Sequence, residues 1–365
     1  MSKPKIIAFY LPQYHPTPAN DRWWGKGFTE WTNVGKAKPL FKGHYQPKVP
    51  ADLGYYDLRL PEVREAQAQL AREAGVYGFC YYHYWFGNGK RQLELPFNDV
   101  LKSGKPNFPF MLCWANESWH KKFWNKDGQG SSKELLIEQT YPGEEDIEKH
   151  FYELLPAFKD SRYIKINGKP MFMIYKPFNL PKLKEFTLVW NKLSKQEGLN
   201  GIYFIGHLQS EEELDQSIFL KENGIDAINT ALVWYAKEQV LKKTYYKWKN
   251  KLYKIILKKS IPFNYKLISK YLYSKIDHLP DVFPTLIPNW DHSPRSGKLG
   301  YIINNSTPEL FYDHIMQTLK LYENQKKEFL FLKSWNEWGE GNYIEPDLKY
   351  GKGYINALKR ALNEL

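Results

Sequence analysis

Short runs of apolar, β-branched and aromatic residues recur along the whole chain, with stretches of helical spacing between them. That alternation is the strongest constraint on the fold, because a strand followed by a crossover helix returns as a parallel neighbour. Eight runs have strand length: residues 6–10, 76–82, 110–114, 171–175, 202–206, 225–230, 283–287 and 329–332. Each reads as a buried parallel strand. Helical spacing covers 61–74, with Pro61 in its first turn, and then 144–158, 182–197, 308–324 and 354–365. The segment after the first run, to about Leu60, reads as a long loop rich in Trp, Gly and Pro. Eight strands with intervening helices are the count of an α/β fold of (β/α)8 TIM-barrel type. No Ser- or Pro-rich linker divides the 365 residues, so one barrel with long βα loops is expected over 1–365.

In such a barrel the residues just after each strand converge on one face, whatever their separation in sequence. The most informative segment follows the last run: Ser334-Trp335-Asn336-Glu337-Trp338-Gly339-Glu340-Gly341. It sets two carboxyls three residues apart among indole rings. Glycosidic bonds are usually broken by paired carboxyls, one protonating the leaving oxygen and the other supplying base or negative charge. Trp335 and Trp338 are expected to wall the site, stack on sugar and raise one carboxyl's pKa by excluding water. The bland alternative is a surface loop with two solvated glutamates.

The other strand ends bring polar and aromatic groups to the same face. The first delivers Tyr10, Gln13, Tyr14 and His15, the second Tyr82, His83, Tyr84 and Trp85, and the third Trp114, Asn116, Glu117 and Trp119. His207 follows the fifth, Trp234 and Tyr235 the sixth, and Trp290, Asp291 and His292 the seventh. An aromatic share of 17% suits stacking on sugars. His15 and His83 stand in no HxH or HExxH spacing, so neither a metal nor another cofactor is expected.

The chain resembles glycoside hydrolase family 99, the endo-α-mannosidases and endomannanases, in the NEW-x-EG part of that octapeptide. It resembles more closely the WbsX-type proteins of bacterial polysaccharide biosynthesis loci. The segments that carry the likeness are AFYLPQYHP (8–16), WWGKGFTEWTNV (23–34), HYQPKVPADLGYYDLRLPEVREAQ (44–67), GFCYYHYWF (78–86), PFMLCWANESW (109–119) and SWNEWGEGNYIEPD (334–347). The resemblance implies the same barrel fold. It also implies retaining chemistry without a covalent sugar–enzyme bond, in which the sugar's 2-hydroxyl attacks its own anomeric carbon, as α-mannosides and α-rhamnosides permit. Carried over, Glu337 is the base for that hydroxyl and Glu340 the acid/base on the leaving oxygen. Glu30 and Trp31 in GFTEW and Glu117 in WANES resemble subsite residues, Asn336 and Trp338 belong to the octapeptide itself, and Glu345 is expected to hold the loop.

Two other functions compete. A glycosyltransferase or transglycosylase for O-antigen or capsule fits the absence of a secretory signal after Met1-Ser2-Lys3-Pro4, yet no DxD metal motif or Gly-rich phosphate loop is present. A non-catalytic glycan-binding protein would be expected to have lost one of the two glutamates. The expected partner is an oligosaccharide or polysaccharide, and the expected location cytoplasmic, with no run of apolar residues long enough to span a bilayer. Cys80 and Cys113, inside strand runs, read as buried inert thiols.

Charge is concentrated in one place. Residues 236–278 hold twelve Lys, no Arg and two acids, Glu238 and Asp277, a net of +10 in a chain whose total is +12. Tyr245, Trp248, Leu252, Ile255 and Ile256 recur there at helical spacing, which predicts a basic amphipathic helix or hairpin. Either that stripe packs on the barrel and the lysines are solvated, or the face lies on anionic lipid at the inner membrane. Nucleic acid is not an expected partner, since Arg forks and known binding modules are missing.

Overall fold

The computed structural model describes residues 3–121, 134–325 and 327–365. All eight runs are strands: β1 Lys5–Tyr10, β2 Val76–Trp85, β3 Phe110–Trp114, β4 Lys169–Ile174, β5 Tyr203–Leu208, β6 Ala227–Thr230, β7 Val282–Leu286 and β8 Phe329–Leu332. Each pairs in parallel with the next, and β8 pairs with β1 in the register Ile7 to Phe331, so the sheet closes into a (β/α)8 barrel. Closure satisfies every strand edge and gives the loops after the strands a common face.

The barrel interior is packed with side chains. The Phe9 ring of β1 lies 5.6 Å from Tyr82 of β2, 5.5 Å from His207 of β5 and 5.7 Å from Phe331 of β8, centroid to centroid. Among these rings His207 Nδ1 meets Asn229 Oδ1 at 2.6 Å, and Asn229 donates to Thr285 at 2.9 Å. Cys80 and Cys113 are buried free thiols on β2 and β3.

Helices Pro61–Ala74, Glu144–Lys159, Leu183–Gln196, Pro308–Gln325 and Gly353–Asn363 stand within two residues of the expected bounds. Pro61–Ala74 ends at Gly75, whose φ of +84° is left-handed, and a Cβ there would sit 2.7 Å from Leu362 Cδ1. The expected loop between β1 and Leu60 contains two short helices, Pro18–Trp24 and Glu30–Lys36. Thr17 starts the first, accepting from Asn20 N at 3.1 Å ahead of Pro18 at N1.

Residues 236–278 are more than one helix or hairpin. Helices Val233–Lys242 and Thr244–Ile256 lead to a strand, Pro262–Asn264, that pairs with Ile302–Asn304 beside Trp290–Asp291. Phe263, Tyr265, Ile287, Trp290, Tyr301 and Ile303 form a second apolar core there. The stripe does not pack on the barrel: Tyr245, Trp248, Leu252, Ile255 and Ile256 are 56 to 66% exposed. Among the described residues no helix is long and apolar enough to cross a membrane.

Candidate active site

At the C-terminal ends of the strands lies a cavity of about 520 Å³. Eight of the expected residues line it: Gln13, Glu30, Tyr82, Tyr84, Glu117, Trp119, Glu337 and Glu340. Trp24, Phe28, Lys36, Tyr175 and Arg295 also stand on the wall. The site is apolar on its flanks and ionic at its floor, as a pocket that orients a polar ligand requires.

Arg295 organises the floor. It stands on the short helix Ser293–Ser296, whose Ser293 N–H donates to Asp291 Oδ1 at 3.0 Å. Its Nε donates to Glu30 Oε1 at 2.8 Å, while Nη1 reaches both Glu340 Oε1 and, at 3.4 Å, Glu337 Oε1. Three carboxyls from two separate segments therefore share one guanidinium. Gly339 permits this, since a Cβ there would lie 1.7 Å from Glu30 Oε1.

The two glutamates of the octapeptide differ in environment. Glu337 is buried, takes a hydrogen bond from Ser334 Oγ at 3.1 Å, and is pushed up to about 7 by burial and by the nearby Glu340 charge. Burial also raises Glu340, but Arg295 and His292, the latter 3.3 Å away, outweigh it and hold that carboxyl well below the usual range. Environment has pushed apart two carboxyls of one loop, the pattern that assigns acid and base roles. In the free site Glu337 therefore holds a proton more readily than Glu340 does. Lys333 supports the floor from below, donating to Tyr82 OH at 2.9 Å and Tyr175 OH at 3.4 Å.

A second group of expected residues builds the scaffold rather than the wall. Asn336 accepts from Leu11 N at 2.7 Å and donates to Leu11 O at 3.1 Å, while Tyr14 OH donates to Asn336 O and accepts from Trp338 N, tying the loop to the end of β1. Trp338 is stacked on Tyr343 at 3.7 Å, packs against Trp31, and donates to Glu345 Oε2 at 2.7 Å. Glu345 also accepts from Tyr56 and Gln67, so it anchors the loop. Trp335 and Trp338, expected to wall the site, are buried behind it.

A third group is turned away from the cavity. Side chains alternate along a strand, so Tyr82 and Tyr84 face inward while His83 faces the surrounding helices. His83 meets His150 of Glu144–Lys159 at 2.8 Å, where burial pushes both imidazoles down. Trp114 likewise packs on Phe186 and donates to Trp85 O, and Tyr10 donates to Gln67 of Pro61–Ala74. Asn116 braces the ends of β3 and β4 through Lys176, and His207 lies beneath Tyr175, stacked at 4.7 Å. His15 is buried apart from the wall with Asp57 and Arg59 as charged neighbours. Asp291 is held by His44 and Gln46, and Trp234 and Trp290 belong to the second core. None of these nine reaches the described cavity wall.

Sequence reading missed Arg295, Tyr175 and the aromatic pair Trp24 and Phe28. Arg295 lies only three residues beyond His292, in a loop already singled out, and an arginine following a barrel strand is signal enough to name it.

The family profile described as glycosyltransferase WbsX matches residues 6–358. The chain belongs to the WbsX family. The uncharacterized protein WxcX of Xanthomonas campestris pv. campestris strain B100 is 31% identical over 367 residues, covering 98% of this chain and 49% of its own length. This WbsX-family chain thus spans about half the length of the curated relatives it matches. Among solved structures, the GH99 endo-α-mannosidase of Bacteroides thetaiotaomicron superposes with a TM-score of 0.61 at 14% identity, over 99% of this chain and 96% of that one. A glycoside hydrolase-like protein gives 0.62 at 14% identity, over 99% and 94%. At that identity the likeness establishes the shared barrel.

Proposed function

We propose that this chain is an enzyme acting on glycosidic bonds of a bacterial surface polysaccharide or its precursor, with Glu337 and Glu340 as its reacting carboxyls. One observation carries the reading: Glu30, Glu337 and Glu340 are gathered on Arg295 at the floor of an aromatic-flanked cavity at the catalytic end of the barrel. The shared fold of the GH99 endo-α-mannosidase and the WbsX family support it.

The electrostatics support Glu337 as the proton donor. It holds its proton to about pH 7, near the point where a general acid works best at neutral pH. Glu340, kept ionised by Arg295 and His292, takes the proton from the attacking hydroxyl. In hydrolysis that hydroxyl is the 2-hydroxyl of an α-mannoside or α-rhamnoside, and the resulting 1,2-anhydro sugar is opened by water. In transfer an acceptor sugar's hydroxyl opens it, which is the reading the family's description favours.

The test uses aryl α-mannosides and α-rhamnosides of graded leaving-group ability, with and without acceptor oligosaccharides, and products weighed by mass spectrometry. Glu337→Gln should lose turnover of poor leaving groups and keep that of activated ones, whereas Glu340→Gln should lose both. The opposite pattern would return the roles to those the resemblance implies. Normal turnover of a 2-deoxy substrate would remove the 2-hydroxyl from the mechanism.

A further inference from the structure

The helix Thr244–Ile256 is an amphipathic helix facing the wrong way for a soluble barrel. No residue of it is buried, and only Tyr246 and Tyr253 pack partly against the second core, Tyr246 stacking toward Phe263 at 6.4 Å. The opposite side carries the apolar load. At about 100° per residue, Tyr245, Trp248, Leu252, Ile255 and Ile256 fall within an arc of about 100°, and each is more than half exposed. A run of five large apolar side chains pointing at solvent on one helix is an interaction surface.

Its borders say what covers it. On the same wheel Lys249 and Lys251 flank the arc on either side, Lys249 lying 5.6 Å from the Tyr245 ring and Lys251 5.4 Å from the Trp248 ring. Lys247 and Lys254 are also on this helix, and no acid is. Aromatic and aliphatic groups between two rows of Lys match the layering of a bilayer surface, with acyl chains below and phosphates at the height of the ammonium groups. A second copy of the chain is a poorer match, since two such faces would bring Lys249 and Lys251 of both helices together with no acid from either helix.

We propose that the outward face of Thr244–Ile256 docks this protein on an anionic lipid bilayer, lying in the interface with Trp248, Leu252 and Ile255 below the phosphates. The docking needs no membrane-spanning helix and does not depend on the roles of Glu337 and Glu340.

Purified protein is sedimented with phosphatidylcholine vesicles, with and without phosphatidylglycerol, at low and high salt. The wild type should sediment with the anionic vesicles at low salt and leave them as salt rises, because the attraction is screened over about 8 to 10 Å. Lys249→Gln with Lys251→Gln should weaken binding about thirtyfold, two lysines at roughly 1 kcal/mol each near an anionic surface. Trp248→Ser with Leu252→Ser and Ile255→Ser should abolish binding at every salt concentration. Both variants should keep the wild-type melting temperature, since none of the five side chains is buried. A wild type that stays in the supernatant with anionic vesicles at low salt overturns the proposal. So does lipid-free self-association in sedimentation velocity that the apolar triple substitution abolishes, which would make the face a contact between copies.

Discussion

Replacing Glu337 by glutamine should stabilise the protein at neutral pH while removing the proposed proton donor. The native carboxyl titrates at about 7, against 4.5 for an unburied glutamate, first because it is buried and second because Glu340 lies beside it. Between those two values the folded chain holds a proton that the unfolded chain has released, so unfolding becomes easier as pH rises through the window. At about 1.4 kcal/mol per pH unit, the wild type loses about 3 kcal/mol between pH 4.5 and 7. Glutamine has nearly the same shape, keeps a partner for Ser334 Oγ and never ionises, so the variant escapes the loss. The gap between variant and wild type should be near zero at pH 4.5, grow to about 3 kcal/mol by pH 7 and stay level above it. With about 2 cal/mol/K of unfolding entropy per residue over 365 residues, that gap is roughly 4 °C in melting temperature. Thermal melts of both proteins at matched ionic strength from pH 4.5 to 8.5 provide the measurement. A gap that is constant with pH, or of opposite sign at pH 8, would refute burial as the cause of Glu337's raised pKa.

Glu340→Gln should behave in the opposite sense, because its carboxyl is held low by Arg295: the variant is less stable than wild type at neutral pH, and melts should show the difference closing only as pH falls below the usual carboxylate range. Gly339→Ala puts a methyl where Glu30 Oε1 now lies, so turnover should fall by at least tenfold while circular dichroism stays native. Trp114→Ala should cost about 3 to 5 kcal/mol in denaturant unfolding and leave glycan affinity unchanged, since the ring is buried against Phe186 and His150. Trp24→Ala, on the cavity wall, should do the reverse, weakening glycan binding by about 1 to 2 kcal/mol in calorimetry with little change in melting temperature.

The barrel was legible in the sequence because its signals are local. A buried parallel strand announces itself as a short apolar run, and Pro61 with the helical spacing after it marks a helix without help from the rest of the chain. The pair Glu337 and Glu340 was legible for the same reason, since a turn after a strand fixes their spacing.

What the tertiary structure decided is direction. Whether His83 and Trp114 face the cavity or the helices depends on the phase of a two-residue alternation, and that phase is set by closing the barrel, not by the composition of either strand. Trp338 looked like a sugar platform and lies instead in a buried stack with Tyr343, because the loop folds back over the end of β1. The meeting of Glu30, Arg295, Glu337 and Glu340 joins positions up to 310 residues apart through three loops. That encounter raises the pKa of one carboxyl and lowers that of the other, and no local pattern records it, because each pKa depends on charges brought from elsewhere in the chain.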